Sequence, residues 1–388
     1  MILVIPAEDD LTVTVVLPTG VRDHDAATAA ALAPLAHGVL TGAPGTDGTP
    51  LADLLAGHGA VVRADVGHET LTFQCRMPAA AVADCLPLFL TAVTRPALGT
   101  YGEVPGEAPG EEPCAARTRL RELLFGEHPL ARPTSRRGGA PASGRGGTPD
   151  LSAVHRDVMA SGAPVVVVAG PETLVPQALG VLEAPEGSLP ESAPGSQAVM
   201  KREAPPMETV SSGGVNLRAA GAAARARVAA GGITAARRAP ASAAARVLAE
   251  LFGPGDASLL RSTLYTDIGI DCELEATYEG YQDCGLWQTR LDLDTDWVAT
   301  AESLVRELLE FIASGRLDEA AFQAARAAAR ERAGAEASDV PLASYRAALA
   351  ALDGGEPEDL VLGVGRVTPG ELASAAARVL RTYAVAVV

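Results

Sequence analysis

Apolar and polar residues alternate along Leu11–Leu17, a pattern that predicts a strand with one buried face. Residues 26–40 have the apolar spacing of a helix, broken only by Pro34. These two patterns recur through the first half of the chain. They predict strands at 61–65, 69–76 and 165–168, and helices at 51–57, 79–94, 115–125, 151–160 and 171–182. A mixture of this kind indicates the α+β class.

The second half repeats the order. Its patterns predict strands at 225–230, 271–278, 286–293 and 385–388, and helices at 241–252, 258–265, 296–314, 317–335 and 341–352. Thr368, Pro369 and Glu371 form a helix-start signal, because a threonine cap, a proline at the first position and a glutamate three residues on favour a helix N-terminus. Residues 99–113 hold four glycines and three prolines and cannot form a continuous helix.

The two halves correspond in order and spacing. Matching positions lie 212 residues apart near the start of each half and 220 apart near its end. The matches are Val16 with Val228, Gly20 with Gly232, and Thr148–Pro149 with Thr368–Pro369. We therefore predict a tandem duplication, with lobes at 1–184 and 207–388 joined by a linker at 185–206 whose composition is typical of linkers.

Charge and cysteine content exclude some functions. The net charge of −17 disfavours nucleic acid or an anionic membrane as a partner, whereas it suits a soluble protein or a basic peptide substrate. Five cysteines without C-x-x-C spacing predict neither a disulfide framework nor a structural zinc site. The N-terminus lacks a signal-peptide pattern and no apolar run approaches the ~18 residues of a membrane helix, so we predict a cytoplasmic location.

Five segments together resemble one peptidase family. They are LTVTVVLPTGVRD (11–23), GHETLTFQCRMP (67–78), ELLFGEHPLARP (122–133), ASLLRSTLYTDIGIDCELEA (257–276) and GRLDEAAFQAARA (315–327). In this order, across both halves, they resemble the pitrilysin/insulinase family of zinc peptidases, and in particular its short two-lobed members related to the mitochondrial processing peptidase. The resemblance implies two lobes, each a mostly antiparallel sheet with helices on one face, arranged as a clamshell around a peptide chamber.

The resemblance also locates the position of the zinc site. Active members carry H-x-x-E-H on the first helix, where two histidines bind zinc and the glutamate takes a proton from the bound water. Aligned on that pattern, ALAPLAHG (31–38) places Pro34 and Gly38 at the two histidines and His37 at the glutamate. Proline and glycine side chains offer no metal ligand. A shifted register does not help, because His24 and His58 are not at helical spacing from His37.

The third zinc ligand of active members would fall in the broken stretch 99–113. Glu103, Glu107 and Glu111 are its candidate remnants. We therefore predict no catalytic residues, no metal ligands, no cofactor-binding residues and no cofactor.

The remaining histidines suggest structural positions. His37 alone could still be a ligand or a base, although a lone half-buried histidine is more often a packed, hydrogen-bonded side chain. His68–Glu69 and His128 match family positions that are structural, and we expect His155 to be a solvated helix residue.

Peptide-binding residues of paired family members are also missing. Subunits without the zinc motif often supply an arginine and a tyrosine near the metal, and those positions are Tyr265 and Cys272 in this chain. Arg261 lies one turn before Tyr265 and could reach the same space, although a surface or interlobe arginine is the simpler interpretation.

Three functions are consistent with these observations. The first is an inactive subunit that pairs with an active H-x-x-E-H peptidase, sharing a chamber for a peptide substrate in peptide processing or degradation. The second is a structural or peptide-binding scaffold, as in the respiratory-complex core subunits of the same fold. The third is a divergent metallopeptidase that uses other ligands.

Overall fold

The computed structural model describes residues 1–8, 10–44, 48–98, 115–134, 150–184, 202–205, 225–356 and 360–388. Contacts divide the chain into two compact units. Unit 1 contains residues 1–111, 133–200 and 337–357, and unit 2 contains residues 112–132, 201–336 and 358–388. Each unit thus includes a short segment from the other half of the sequence. The lobe boundaries at 184 and 207 lie beside or within undescribed segments and stay a prediction.

The described strands and helices confirm the α+β class. The strands are β1 (Ile2–Pro6), β2 (Leu11–Leu17), β3 (Val61–Val66), β4 (Leu71–Met77), β5 (Val165–Gly170), β6 (Arg225–Thr234), β7 (Glu273–Gly280), β8 (Gly285–Asp294) and β9 (Ala384–Val387). The helices are α1 (Ala26–Thr41), α2 (Leu51–Gly57), α3 (Val82–Thr94), α4 (Ala115–Phe125), α5 (Leu151–Ala160), α6 (Val175–Glu183), α7 (Ser242–Glu250), α8 (Leu259–Arg261), α9 (Val298–Ala313), α10 (Glu319–Ser338), α11 (Val340–Leu352), α12 (Leu360–Gly365) and α13 (Pro369–Arg381). A π-helix, Ser262–Ile268, continues α8. No described helix is long and apolar enough to cross a membrane.

Unit 1 is built on a sheet of order β1-β5-β2-β4-β3. Its strand pairs are antiparallel except for β1 with β5. Side chains alternate along a strand between the two faces of the sheet. Both faces of this sheet carry buried residues. Val13, Val15, Val166 and Val168 lie in the core shared with α1, α3, α5 and α6. On the opposite face, Val16 and its neighbours pack against α11.

Unit 2 has a sheet of order β7-β8-β6-β9, with antiparallel pairs throughout. One face packs against α7, α9, α10 and α13, and its core includes Phe252 and Trp287, whose rings meet edge to face at 4.9 Å. The other face packs against α4. Each sheet therefore carries several helices on one face, as predicted, and one additional helix on the other face.

The strand orders confirm two similar tandem units, but the predicted register is wrong. The order β5-β2-β4-β3 corresponds to β9-β6-β8-β7. Val13 pairs with Val168, and Val228 pairs with Val387, with all four side chains in the cores beneath the helices. Val228 therefore has the same side-chain direction as Val13. The predicted match of Val228 with Val16 is wrong, because the Val16 side chain points to the opposite face of its sheet. A shift of one residue along a strand reverses the side-chain direction.

Helix caps mark the other end of the repeat. Asp150 caps α5 by accepting from the backbone N–H groups of Ser152 and Ala153, and Thr368 caps α13 in a capping box with Glu371. Asp150 is thus the counterpart of Thr368. The predicted counterpart, Thr148–Pro149, lies outside the described residues.

Several elements differ from their predictions, among them β1, α6 and β6. β1 was not predicted, because its continuous apolar run shows no alternation. Helix α6 begins at Val175 and not at 171, because Pro171–Leu174 forms a turn. β6 continues beyond 230 through Gly231 and Gly232, so Gly232 does not match the turn residue Gly20. A Cβ atom on Gly232 would lie 2.2 Å from the Val379 carbonyl oxygen, so close helix packing explains the glycine.

Candidate functional site

The turn before α1 is anchored to the start of β4 by backbone contacts. The N–H groups of Val21 and Arg22 donate to the carbonyls of Gly67 and His68, both at 3.0 Å. A Cβ atom on Gly20 would lie 2.4 Å from the His68 carbonyl carbon and 2.5 Å from the Glu69 nitrogen. Only glycine permits this approach without a shift of backbone. The contact holds the turn that leads into α1.

A buried ion pair strengthens the same junction. Arg22 Nη1 lies 2.9 Å from Glu69 Oε1, and the two side chains are only 3% and 5% exposed. A buried charge is tolerated when an opposite charge and hydrogen bonds compensate it. We call Gly20, Arg22 and Glu69 the α1 anchor. The predicted structural role of His68–Glu69 agrees with this geometry, since His68 is buried as well.

The N-terminus of α1 is capped by an aspartate. Asp25 Oδ1 accepts from the Thr28 backbone N–H at 2.8 Å. That hydrogen bond lowers the pKa of Asp25, because it stabilises the carboxylate. The helix then runs through Pro34 to Thr41. The fold thus places α1 beside the sheet with an ordinary cap and a rigid support.

The side chains that the sequence comparison above places at the family's zinc positions cannot bind a metal. Pro34 and Gly38 are both buried in α1, and neither has a side-chain donor atom. His37 is half-buried one residue before Gly38. Among the described residues, no group of three or more histidine, cysteine, aspartate or glutamate side chains could hold a metal ion. Glu103, Glu107 and Glu111 lie outside the described residues. The residues present therefore do not fit zinc, and no chemical step is derived through it.

The other described histidines have local structural contacts. His24 Nε2 lies 2.8 Å from Thr19 Oγ1, and His58 lies 4.0 Å from the exposed Asp84. His128 Nδ1 accepts from the Leu130 N–H at 3.2 Å, which caps the short turn Pro129–Ala131. Each of these contacts is local, and none belongs to a group of three or more metal-binding side chains among the described residues.

His155 was predicted to be solvated, and that prediction is wrong. Its Nε2–H donates to the Val93 carbonyl at 2.9 Å, which ties α5 to the end of α3. Burial lowers the pKa of His155, and the hydrogen bond to Val93 offsets part of that effect. The apolar spacing of α5 is also consistent with an exposed side chain at 155, so the contact could not be inferred from the pattern.

His155 should make stability depend on pH. Its folded-state pKa lies below the unfolded value of about 6.5, so the unfolded chain binds the proton more readily. Stability should therefore fall as the pH is lowered from 7 to 5. The variant His155→Gln should show a smaller fall in melting temperature over this range, whereas the exposed-site control His58→Gln should match the parent. Identical pH profiles for His155→Gln and the parent would contradict this assignment.

The second-half candidates lie at an exposed bend. Tyr265 is 63% exposed on the π-helix, and Arg261 Nη1 lies 3.3 Å from Asp256 Oδ1 in an exposed pair. Cys272 is half-buried just before β7, and burial raises its pKa. The structure therefore describes Arg261 as a surface arginine. It does not bring Arg261 together with Cys272 through any of the contacts it resolves.

Sequence reasoning missed a buried arginine on α4. Arg121 is 7% exposed and contacts Glu279 and Tyr281. The only sequence signal was its place beside Leu120 and Leu124 on the apolar side of the helix. Cys75 is fully buried in β4, and burial raises its pKa to about 12. Such a thiol stays protonated and is not a nucleophile at neutral pH.

Comparison with known proteins supports the family resemblance. Residues 149–329 match the sequence model described as the peptidase M16 inactive domain. Over this stretch the chain is similar to the pitrilysin-like peptidase M16 family. This confirms the resemblance drawn from the sequence. No curated protein matches the chain.

Solved structures share the M16 fold over the whole chain. A peptidase M16 inactive domain from Pseudomonas fluorescens is 15% identical, with a TM-score of 0.74 and coverage of 100% of this chain and 94% of that one. A protease from Helicobacter pylori is 13% identical, with a TM-score of 0.76 and coverage of 100% and 96%. A chain of complex III2 from Candida albicans with Inz-5 bound is 13% identical, with a TM-score of 0.72 and coverage of 100% and 93%. At these identities the likeness shows the fold alone.

Proposed function

We propose that this chain is a catalytically inactive subunit that pairs with an active H-x-x-E-H peptidase. One observation carries the proposal. The α1 anchor and the Asp25 cap support the helix that holds the motif in active members, while Pro34 and Gly38 occupy the two zinc-ligand positions. The chain keeps the fold without the side chains that bind the metal. A function that requires the fold but no bound metal ion accounts for both the retained helix and the missing ligands.

In this proposal the chain forms part of a peptide chamber whose catalytic residues come from the partner. The acidic net charge of −17 would favour peptides that carry basic residues. Peptide processing or degradation, in the cytoplasm, is the activity we propose for the pair.

The test is to purify the chain alone, the H-x-x-E-H subunit alone, and the two together. We expect the pair to form a heterodimer and to cleave peptides faster than the active subunit alone. A pair whose active subunit carries glutamine at the motif glutamate is the control, and it should assemble without cleaving. If the two chains fail to associate, or if this chain leaves the partner's activity unchanged, the proposal is wrong.

A scaffold function is the second candidate, and the likeness to a chain of complex III2 favours it. It predicts association with proteins that are not peptidases. A neighbouring gene that encodes H-x-x-E-H would favour the peptidase pair, and the absence of one would favour the scaffold. A divergent metallopeptidase is the third candidate, and stoichiometric zinc in the isolated chain would support it.

A further inference from the structure

A groove lies between α10 and α12 in unit 2. Its volume is about 460 Å³, within the ~300–1,000 Å³ range of sites for small ligands. On the α10 side it is lined by Arg326 and Arg330, four residues apart on one face of the helix, and by Glu331. Val361 and Gly365, one turn apart, line it from α12. We call this space the α10–α12 groove.

Arg326 is held at the groove by neutral groups. Its Nη1 donates to the Val367 carbonyl at 3.2 Å, and its Nη2 donates to Gln323 Oε1 at 2.6 Å. The guanidinium also lies over the Phe322 ring, 5.2 Å from the ring centroid. These contacts fix the direction of the side chain but supply no negative charge. In the described part of the chain, Arg326 therefore has no carboxylate partner.

Arg330 lies one helical turn further along α10 and is exposed. It forms no ion pair with any carboxylate that the structure describes. Arg332 on the same helix, by contrast, pairs with the buried Glu250 at 2.5 Å. The groove thus presents two neighbouring guanidinium groups whose charge is not neutralised by the described residues around them.

The charges and the apolar lining favour one class of ligand. A planar guanidinium matches a carboxylate, to which it can donate two parallel hydrogen bonds. Glu331 would repel a second negative charge, but it can accept a hydrogen bond from an N–H group. Beside the half-buried Val361, a Cβ atom on Gly365 would meet nothing within 4 Å, which leaves room for an aliphatic group. One carboxylate, a nearby N–H and an aliphatic side chain occur together at the C-terminal end of a peptide.

We propose that the α10–α12 groove binds the C-terminal end of a peptide. Arg326 and Arg330 hold the terminal carboxylate, and Glu331 accepts a hydrogen bond from a backbone N–H group. An aliphatic last side chain packs against Val361. The site uses neither the zinc position nor a partner subunit, so it goes beyond the proposed pairing and does not depend on it.

The experiment uses the full chain alone, so this proposal and the proposed pairing can fail separately. The probe is an acetylated tripeptide, alanyl-alanyl-leucine, with a free terminal carboxylate, and the matched probe is its C-terminal amide. Isothermal titration calorimetry should show the acid binding about tenfold tighter or more, because hydrogen bonds to charged groups are among the strong ones. No binding of the acid, or equal binding of acid and amide, would overturn the proposal.

Two further probes test the class of ligand. Isocaproate carries the carboxylate and the aliphatic chain of leucine without an amide, and inorganic phosphate carries only the negative charge. Each should bind about tenfold more weakly than the tripeptide acid or worse, since neither can donate an N–H to Glu331. If either binds as tightly as the tripeptide, the groove is an anion site and not a peptide site.

A glycine pair on α12 tests the location. Gly365→Leu would fill the groove without a backbone collision, because a Cβ atom there meets nothing within 4 Å. Gly363→Leu is the matched control, since its Cβ atom is equally unobstructed and Gly363 does not line the groove. Gly365→Leu should weaken tripeptide binding by about tenfold or more, and Gly363→Leu should leave it unchanged. Equal affinities of the two variants would overturn the location.

An arginine pair tests the carboxylate contact. Arg330→Gln should fold normally, because the exposed Arg330 has no ion pair to lose among the described residues. It should weaken binding of the tripeptide acid by about tenfold and leave the amide unchanged. Arg381→Gln is the matched control, since Arg381 is exposed in the same unit and lies outside the groove. Equal effects of the two substitutions on the acid would overturn the role of Arg330.

Discussion

Replacing Arg22 by methionine is expected to destabilise the protein by about 3–5 kcal/mol, because the substitution leaves Glu69 with a buried charge and without its guanidinium partner. The 2.9 Å pair is shielded from water on both sides, so solvent cannot compensate the loss. Chemical denaturation followed by circular dichroism measures the free energy of unfolding. A loss of this size would be a large share of the free energy of unfolding of an ordinary domain.

Two further variants test the cause of this effect. Arg76→Met removes an exposed pair with Asp10 at 3.1 Å in the same unit, and it should cost at most about 1 kcal/mol. The double variant Arg22→Met/Glu69→Leu removes both buried charges and should recover much of the stability lost in Arg22→Met. If Arg22→Met is as mild as Arg76→Met, the pair does not support the turn before α1.

Replacing Gly20 by alanine is expected to cost about 3 kcal/mol, because the new methyl group would collide with backbone and not with a side chain that can rotate away. The Cβ atom would lie 2.5 Å or less from atoms of Gly67, His68 and Glu69. Relief requires the turn and the start of β4 to separate. That movement would also stretch the backbone hydrogen bonds that Val21 and Arg22 donate to the carbonyls of the turn before β4.

Gly57→Ala is the control for that substitution. Gly57 lies at the end of α2, and a Cβ atom there would meet nothing within 4 Å. Alanine should be neutral or stabilising by about 0.5 kcal/mol, since it restricts the unfolded chain. Equal denaturation midpoints for Gly20→Ala and Gly57→Ala would show that the close contact at Gly20 does not constrain the fold.

The long patterned elements could be predicted from the sequence. Residues 115–125 and 151–160 became α4 and α5 with the predicted bounds, because apolar spacing and clear end signals determine such helices. β1 and the extension of β6 through Gly231 and Gly232 were missed. Their cause is tertiary: β5 offers β1 an edge to pair with, and close packing against α13 requires glycine in a strand.

The placement of α4 in unit 2 could not be predicted either. The apolar stripe of α4 shows that one face is buried but does not specify which sheet covers it. Arg121 looked like any charged residue on an amphipathic helix, since its partner Glu279 lies 158 positions along the chain. The predicted alignment of the two halves was wrong for a related reason. Matching the two halves by residue type ignores the direction of the side chains, and the strand pairing is needed to show that direction.

The candidate site was largely accessible from the sequence, because its argument rests on residue type. Pro34 and Gly38 lack metal-binding atoms whatever the surrounding structure. The structure adds that both positions are buried in an intact helix, and that the Arg22–Glu69 pair supports its start. It also corrects the environment of His155, which sequence spacing could not give.

The metal content of the pure protein distinguishes an inactive chain from a divergent metallopeptidase. The chain should be expressed in zinc-supplemented medium, purified without chelators, and analysed by elemental mass spectrometry together with cleavage of a mixed peptide library. We expect less than about 0.1 zinc per chain and no cleavage that a chelator abolishes, because α1 supplies no pair of imidazole ligands. About one zinc per chain, with chelator-sensitive cleavage, would contradict this expectation.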